Sequence, residues 1–351
     1  MENLKTKLKV GVVGAAGEAR FYIQDYFMPG VAEVAIVQDI DDVRLRTVAE
    51  KHGIRWCTTS FQEVLDSDID IIDISTPNYL HAEQAIAALN AKKHVIVQKP
   101  MAPTVQECER IIEAAEKNGR VLGVYMSALN DPLNHEIKRM IHSKLFGTIL
   151  SMRWRGAHLG GLRMRTNNRL WRSSVEKTGG GAFMQLAIHG IHLLEWFMVG
   201  RILRIAAYSK NLMCKDRLEG DDLTTAIGEL DSGINVTLEA SYSSLGGMLE
   251  VYGSEGYLIR HGNEITIYSL NRFDGELISH PGNDTEMRIL DSAISEKIKR
   301  LEAKYNQHQL FIKSIVGGKR PPVSGEDGLR GVRIVKAAYQ ASKEARTIEI
   351  S

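Results

Sequence analysis

Short apolar runs and amphipathic stretches alternate through the first third of the chain. Leu8–Val13 is a β-rich run that ends in glycine, and Val34–Gln38, Ile69–Ser75, His94–Gln98 and Val121–Tyr125 read as further strands. Between them Asp42–His52, Phe61–Leu65, Leu80–Ala91 and Thr104–Asn118 carry helical patterns. Such alternation predicts βαβ units, a parallel sheet and right-handed crossovers. Thr104 with Glu107 forms a capping box, and Asn118-Gly119 closes the same helix. Pro77, Pro100 and Pro103 mark strand ends, where ligands bind in sheets of this kind.

The texture changes near residue 127. A helix Asn134–Ser143 and a strand Thr148–Trp154 lead into an Arg- and Gly-rich stretch over 155–181. A helical pattern follows at Ala182–Phe197. Strands are then expected at Ile202–Ser209, Leu223–Leu230, Ile234–Ser241, Gly247–Gly253, Tyr257–Arg260 and Glu264–Ser269. Asp231-Ser-Gly233 and Ser254-Glu-Gly256 are hairpin turns between them. Two helices, about Thr285–Val316 and Gly325–Ala345, end the chain. The expected organisation is α/β: a first domain over 1–127 with a Rossmann sheet, and a second over 128–351. The second is α+β, with a large, open, mostly antiparallel sheet.

Composition narrows the function. The 351 residues carry 44 Lys and Arg against 43 Asp and Glu. A net charge of +1 gives no global field for nucleic acid or an anionic membrane. Cys57, Cys108 and Cys214 are scattered, with neither metal-type spacing nor a disulfide framework, and a reducing cytoplasm fits them best. The N-terminal run is broken by Gly11, Gly14 and Gly17, so no signal peptide is expected, and no apolar stretch approaches a membrane span.

The first strand leads into Gly11-Val-Val-Gly-Ala-Ala-Gly-Glu-Ala19. The dinucleotide fingerprint would place glycines where Gly14, Ala16 and Ala19 stand. Gly14 allows the tight turn, Ala16 a fairly close pyrophosphate, and Ala19 close helix–strand packing. The pyrophosphate is expected on a helix N-terminus just beyond Gly17 and Glu18. Asp39, followed by Ile40 and Asp41, ends the second strand 25 residues after Gly14. A carboxylate there accepts from ribose hydroxyls and repels a 2′-phosphate, which favours NAD over NADP.

Three further motifs carry a resemblance. Ser75-Thr76-Pro77-Asn78-Tyr-Leu-His81, then Val97-Gln98-Lys99-Pro100, then Gly179-Gly-Gly-Ala-Phe-Met-Gln185-Leu-Ala-Ile-His189, in this order, resemble the glucose–fructose oxidoreductase and inositol dehydrogenase family over nearly the whole chain. The resemblance implies hydride exchange between a nicotinamide and a sugar-like hydroxyl carbon. It places the nicotinamide between the domains, near the Lys-Pro motif, and makes the second domain's sheet an interface for a homodimer or homotetramer. It implies that Lys99 hydrogen-bonds the reacting oxygen and shares in proton transfer, that the bond before Pro100 is often cis, and that His189 is the catalytic base. Ser75, Thr76, Pro77, Asn78, His81, Gln98 and Lys99 would border the cofactor.

The chain departs from that pattern. Gln98 and Gln185 stand where acids are usual, His192 where an acid is frequent, and Ala187 where a glycine is usual. Gln185, His189 and His192 would share one helix face by i,i+4 and i,i+3 spacing. That face is open to three readings: a rebuilt polar site for a sugar, a metal site with two histidines one turn apart, or a decayed catalytic set in a sensor. No clear carboxylate or third ligand is evident, though His158 and Glu239 are possible donors elsewhere, and no metal is assigned. His158, Trp171 and Arg172, with Arg153, Arg155, Arg163, Arg165 and Arg169 nearby, and Tyr125 and Asn130 after the fifth strand, are candidate substrate contacts.

The expected activity is therefore an NAD-dependent dehydrogenation of a sugar, inositol or glycoside hydroxyl, for instance at carbon 3 of a glycoside. Redox-assisted glycoside cleavage with recycled NAD, and a non-catalytic dinucleotide sensor, are the alternatives.

Overall fold

The computed structural model describes residues 7–164, 170–270, 272–273, 276–277, 287–289 and 306–350. They divide into two compact units, Met1–Met126 with Asn306–Arg330, and Ser127–Tyr305 with Gly331–Ser351. The division is thus not one cut after residue 127: a late segment rejoins the first unit.

The first unit is built on a six-stranded sheet in the order β3-β2-β1-β4-β5-β6, all pairs parallel. Its strands are β1 (Leu8–Val13), β2 (Ala32–Gln38), β3 (Trp56–Thr58), β4 (Ile71–Ile74), β5 (His94–Gln98) and β6 (Leu122–Tyr125). The helices are α1 (Asp42–His52), α2 (Phe61–Asp66), α3 (Asn78–Asn90) and α4 (Val105–Asn118). The pattern gave no strand at β3, which has only three residues and no alternation. The Thr104–Glu107 capping box is present, and Gly119 closes α4 in the left-handed region at φ 61°.

One expectation needs correction. No long helix follows the glycine turn; two four-residue 3-10 turns, Glu18–Phe21 and Ile23–Tyr26, stand there. Aromatic and β-branched residues are modest helix formers. Here Tyr22 and Tyr26 are buried, and both phenols reach the buried Asp73 carboxylate, Tyr26 at 2.7 Å. The late segment completes this unit. Phe311 and Ile312, on the helix Gln307–Val316, lie in one core with Val10, Val12, Tyr26 and Ile71. Gln307 accepts from the Met126 amide at 2.8 Å.

The second unit holds a nine-stranded sheet in the order β16-β13-β12-β11-β7-β10-β9-β8-β17. In chain order these are β7 (Ile149–Ala157), β8 (Ile202–Lys210), β9 (Leu223–Leu230), β10 (Asn235–Ser241), β11 (Met248–Gly253), β12 (Gly256–His261), β13 (Glu264–Ser269), β16 (Met287–Ile289) and β17 (Ile348–Glu349). Only the β7–β10 pair is parallel; β14 (Arg272–Phe273) and β15 (Glu276–Leu277) pair separately. Residues 287–289 pair with β13 as a strand, so the helix expected from 285 is corrected there. The expected helix over 290–305 lies outside the described residues.

Register assigns the two faces. Val236, Met152, Val251, Leu258 and Ile267 form a buried row across β10, β7, β11, β12 and β13. The alternate row places Ile227, Thr237, Arg153 and Glu250 side by side on the other face. Ile227 is 57% and Tyr208 80% exposed on that face.

Candidate active site

The first unit presents the carboxyl ends of β1, β2, β4 and β5 on one edge, with the strand order reversing between β1 and β4. Open α/β sheets bind ligands at this switch point. Gly14 turns there at φ 80°, and a β-carbon on it would lie 2.7 Å from the Ser75 carbonyl carbon. Gly14 and Ala15 amides donate to Gln38 O at 2.9 Å, and Gly17 donates to Gly14 O. Ala16 donates to Asp39 Oδ2 at 2.9 Å, and Asp41 donates to Asp39 Oδ1 at 3.0 Å. A carboxylate has about four acceptor sites, so Asp39 retains capacity for ribose hydroxyls. Ala16 and Ala19 are buried, while Gly17, Glu18 and Ile40 are exposed. These residues fit a dinucleotide. The helix N-terminus expected for the pyrophosphate is absent: amides 14–17 bond within the protein, and no long helix dipole points there.

The Thr76 and Lys99 turns are tied together by His81. Its fully buried ring sets Nε2 2.8 Å from Thr76 O and Nδ1 2.9 Å from Pro100 O. Burial holds this ring below the usual histidine pKa, with nearby Lys99 lowering it further. A neutral ring donates one of these hydrogen bonds at a time. His81 is therefore a brace within the protein. Gln98 Oε1 accepts from the Lys99 amide at 3.0 Å, and the Lys99–Pro100 bond is cis. Thr76 donates to Gln84 at 2.6 Å, and Asn78 is buried at the start of α3. Ser75 touches the Tyr22 phenol. Tyr125 stacks on His308 at 4.4 Å, and His308 on Tyr22 at 4.3 Å, an aromatic stack inside the first unit.

In the second unit the residues expected to form one helix, from Ala182 on, do so with an irregularity. Phe183–Ala187 is a π-helical turn, and a regular helix runs from Ile188 to Met198. The simple i,i+4 relation of Gln185 to His189 is therefore altered by the wider turn. Gln185 is buried and its Nε2 reaches Thr178 O at 3.4 Å. His189 is partly exposed; His192 is buried with its ring against Gly331. The Trp154 indole packs on Gly190.

His158, Tyr242 and Arg172 form a second cluster. The His158 and Tyr242 rings lie 4.9 Å apart, and His158 Nδ1 accepts from Gly160 N. The Arg172 guanidinium covers the Trp171 ring at 4.5 Å. Burial raises the Tyr242 phenol, opposed by the Arg172 charge and assisted by Asp221. Arg155 instead pairs with Glu239 on the sheet at 2.7 Å, and Arg153 with Glu250 at 3.5 Å. Arg165 and Arg169 lie outside the described residues.

Residues 8–126 match the oxidoreductase family with an NAD-binding Rossmann fold, and residues 138–350 match that family's C-terminal alpha/beta domain. The chain belongs to the Gfo/Idh/MocA oxidoreductase family. It is 26% identical to 1,5-anhydro-D-fructose reductase of Ensifer adhaerens, over 97% of this chain and 98% of that protein. It is 24% identical to myo-inositol 2-dehydrogenase of Thermotoga maritima, over 98% of each. Its fold resembles that of levoglucosan dehydrogenase in complex with NADH and levoglucosan, with a TM-score of 0.83, 21% identity, and coverage of 98% of this chain and 100% of that chain.

Within this Gfo/Idh/MocA chain the pattern missed Asp221, Asp222, Tyr242 and Tyr339. The adjacent acids after Gly220 were the available signal. Both are buried, and Asp222 accepts from the Leu212 and Met213 amides at 2.8 and 2.7 Å. Burial and the Asp222 charge push the Cys214 thiol up to about 11, which leaves it inert. Among the described residues no group of three or more His, Cys, Asp or Glu gathers to hold a metal, and no helix is long and apolar enough to cross a membrane.

Proposed function

We propose that the protein oxidises a hydroxyl of a sugar, inositol or glycoside, with NAD as the electron acceptor. The observation that carries the reading is the Lys99–Pro100 turn at the end of β5. His81 braces it to the Thr76 turn at the end of β4, beside the glycine turn of β1. That arrangement gives the ammonium a fixed backbone at the ligand edge of the sheet.

Residues 1–127 bind the dinucleotide in this reading, with Asp39 selecting NAD through the ribose. When bound, NAD supplies the two-electron acceptor. The chain handles the proton: His189 takes it from the hydroxyl, and Lys99 hydrogen-bonds the same oxygen as it becomes a carbonyl. Gln185 and His192 orient neighbouring hydroxyls. His158, Trp171 and Arg172, joined by Tyr242, hold the rest of the substrate, and oxidation at carbon 3 of a glycoside suits this set. Tyr125 is reassigned to the aromatic stack around His308. Residues 128–351 carry these groups and assemble a homo-oligomer through the exposed sheet face around Ile227 and Tyr208. Free thiols suit a cytoplasmic setting.

The test is a panel of inositols, aldoses and glucosides mixed with the protein and NAD, followed at the NADH absorbance band. NADH formation with at least one alcohol supports the reading. Tight NAD binding with no turnover across the panel contradicts it.

A further inference from the structure

The helix that carries Gln185 and His189 starts in an unusual way. The first four amides of a helix have no partner within it. Here all four are taken by two residues from distant parts of the same unit. Gly181 N donates to Asp221 Oδ1 at 3.0 Å, Ala182 N to Asp221 O at 2.8 Å, and Phe183 N to Asp221 Oδ2 at 2.9 Å. Met184 N donates to the Tyr339 hydroxyl at 3.1 Å, and that hydroxyl donates to Asp221 Oδ1 at 2.7 Å. Thr224 completes the carboxylate with a hydrogen bond at 2.8 Å. The fit is close: a β-carbon on Gly181 would lie 2.1 Å from Asp221 O, and one on Gly180 2.5 Å from the Tyr339 hydroxyl. Lys336, one turn before Tyr339, donates to Gly179 O at 2.6 Å. The triple glycine is thus the footprint of this clamp.

We propose that Asp221 and Tyr339 are positioning residues that fix the rotational setting of Gln185 against His189. The inference rests on the proton-transfer role assigned to His189. The physical reason lies in the π turn at Phe183–Ala187. Such a turn accommodates one residue more than an α turn, and one residue of an α-helix corresponds to about 100° of rotation. The clamp pins the helix before the π turn. Trp154 on Gly190 and His192 on Gly331 pin it afterwards. With both ends held, the extra residue stays in the turn that contains Gln185. Release of the front end lets the turn relax toward α geometry, which rotates Gln185 relative to His189. A carboxylate at the helix N-terminus also suits the dipole.

Tyr339→Phe keeps the ring against Phe183 and removes only the hydroxyl; Asp221→Asn is the second variant, kept in case the first is silent for want of a large enough change. The measurements are histidine-labelled NMR titration of His189, the NAD dissociation constant, melting temperature, and turnover of the best alcohol from the panel. His189→Ala is run alongside. The expected result is a displaced His189 resonance and titration midpoint in Tyr339→Phe, with NAD affinity and the His81 resonance unchanged. Turnover number falls about tenfold or more, as misplacement of catalytic groups by an ångström does. A lower melting temperature with His189 titration and turnover as in the parent, in both clamp variants, makes the clamp merely structural and overturns the proposal. Undiminished turnover in His189→Ala removes the proton-transfer reading, and the positioning role falls with it.

Discussion

The Nδ1 atom of His81 stands 2.9 Å from the carbonyl oxygen of Pro100, the residue after Lys99. The other ring nitrogen meets Thr76 O, so one imidazole links two loops at the ligand edge of the sheet. His81→Ala removes the one N–H that the neutral ring gives to Pro100 O or Thr76 O and leaves that carbonyl short of a donor. A buried group left unsatisfied costs about 1–3 kcal/mol. Calorimetry should show weaker NAD binding, and thermal melting a loss of stability. Unchanged binding and melting would mean the loops hold without the ring.

Asp73 gives a pH-dependent prediction. It is buried beside Tyr22, Tyr26, Ser75 and His308, and burial raises its carboxyl from 3.8 to about 6. A raised folded pKa means the native state binds the extra proton between those two values. The contribution to stability is fully present below pH 3.8 and is lost as pH rises through about 6. At neutral pH this is worth on the order of 3 kcal/mol of lost stability, at about 1.4 kcal/mol per unit. Asp73→Asn does not titrate. Its melting temperature relative to the parent should therefore climb between pH 4 and 7; a flat difference would rule this out.

Asp39 is the residue to which we assign the choice of cofactor. Its carboxylate already orients on the Ala16 and Asp41 amides, and we assign its remaining acceptor capacity to ribose. Hydrogen bonds to a charged group are worth about 1.5–3 kcal/mol. Asp39→Ser should weaken NAD about tenfold to a hundredfold and narrow the preference over NADP. Fluorescence titration with both nucleotides measures this, and an unchanged ratio of the two affinities would contradict it.

The exposed sheet face gives the fourth expectation. Among the described residues Ile227 and Tyr208 stand exposed on it. Lysine at both positions should convert the assembled protein to monomer in sedimentation equilibrium, with secondary structure intact. A parent protein that is already monomeric would end the oligomer proposal.

Much of this architecture was legible in the residue pattern. Strands β1, β2, β4, β5 and β6 announce themselves because buried parallel strands are nearly continuous apolar runs, as in Ile71–Ile74. The capping box at Thr104 and the turn at Asp231–Gly233 were legible because local hydrogen bonding decides them. Tertiary contacts decided the rest. The 3-10 turns after Gly17 form because Tyr22 and Tyr26 reach Asp73, some fifty residues on. The partners of Gly179–Gly181 lie at Asp221 and Tyr339, and no local spacing encodes them. The bracing contacts of His81 are illegible for a similar reason: both partners are backbone carbonyls, which side-chain identity does not reveal.

The central claim is that Lys99 and His189 act on the proton of an alcohol oxidised by NAD. Stopped-flow absorbance with saturating NAD and the best alcohol of the panel tests it most directly, comparing the parent with Lys99→Ala and His189→Ala. General acid–base groups contribute about 10²–10⁴-fold. The account requires each variant to lose that much of the rate of NADH formation while its NAD dissociation constant stays that of the parent. NADH formation at the parent rate in either variant, or a loss matched by lost NAD binding, would contradict it.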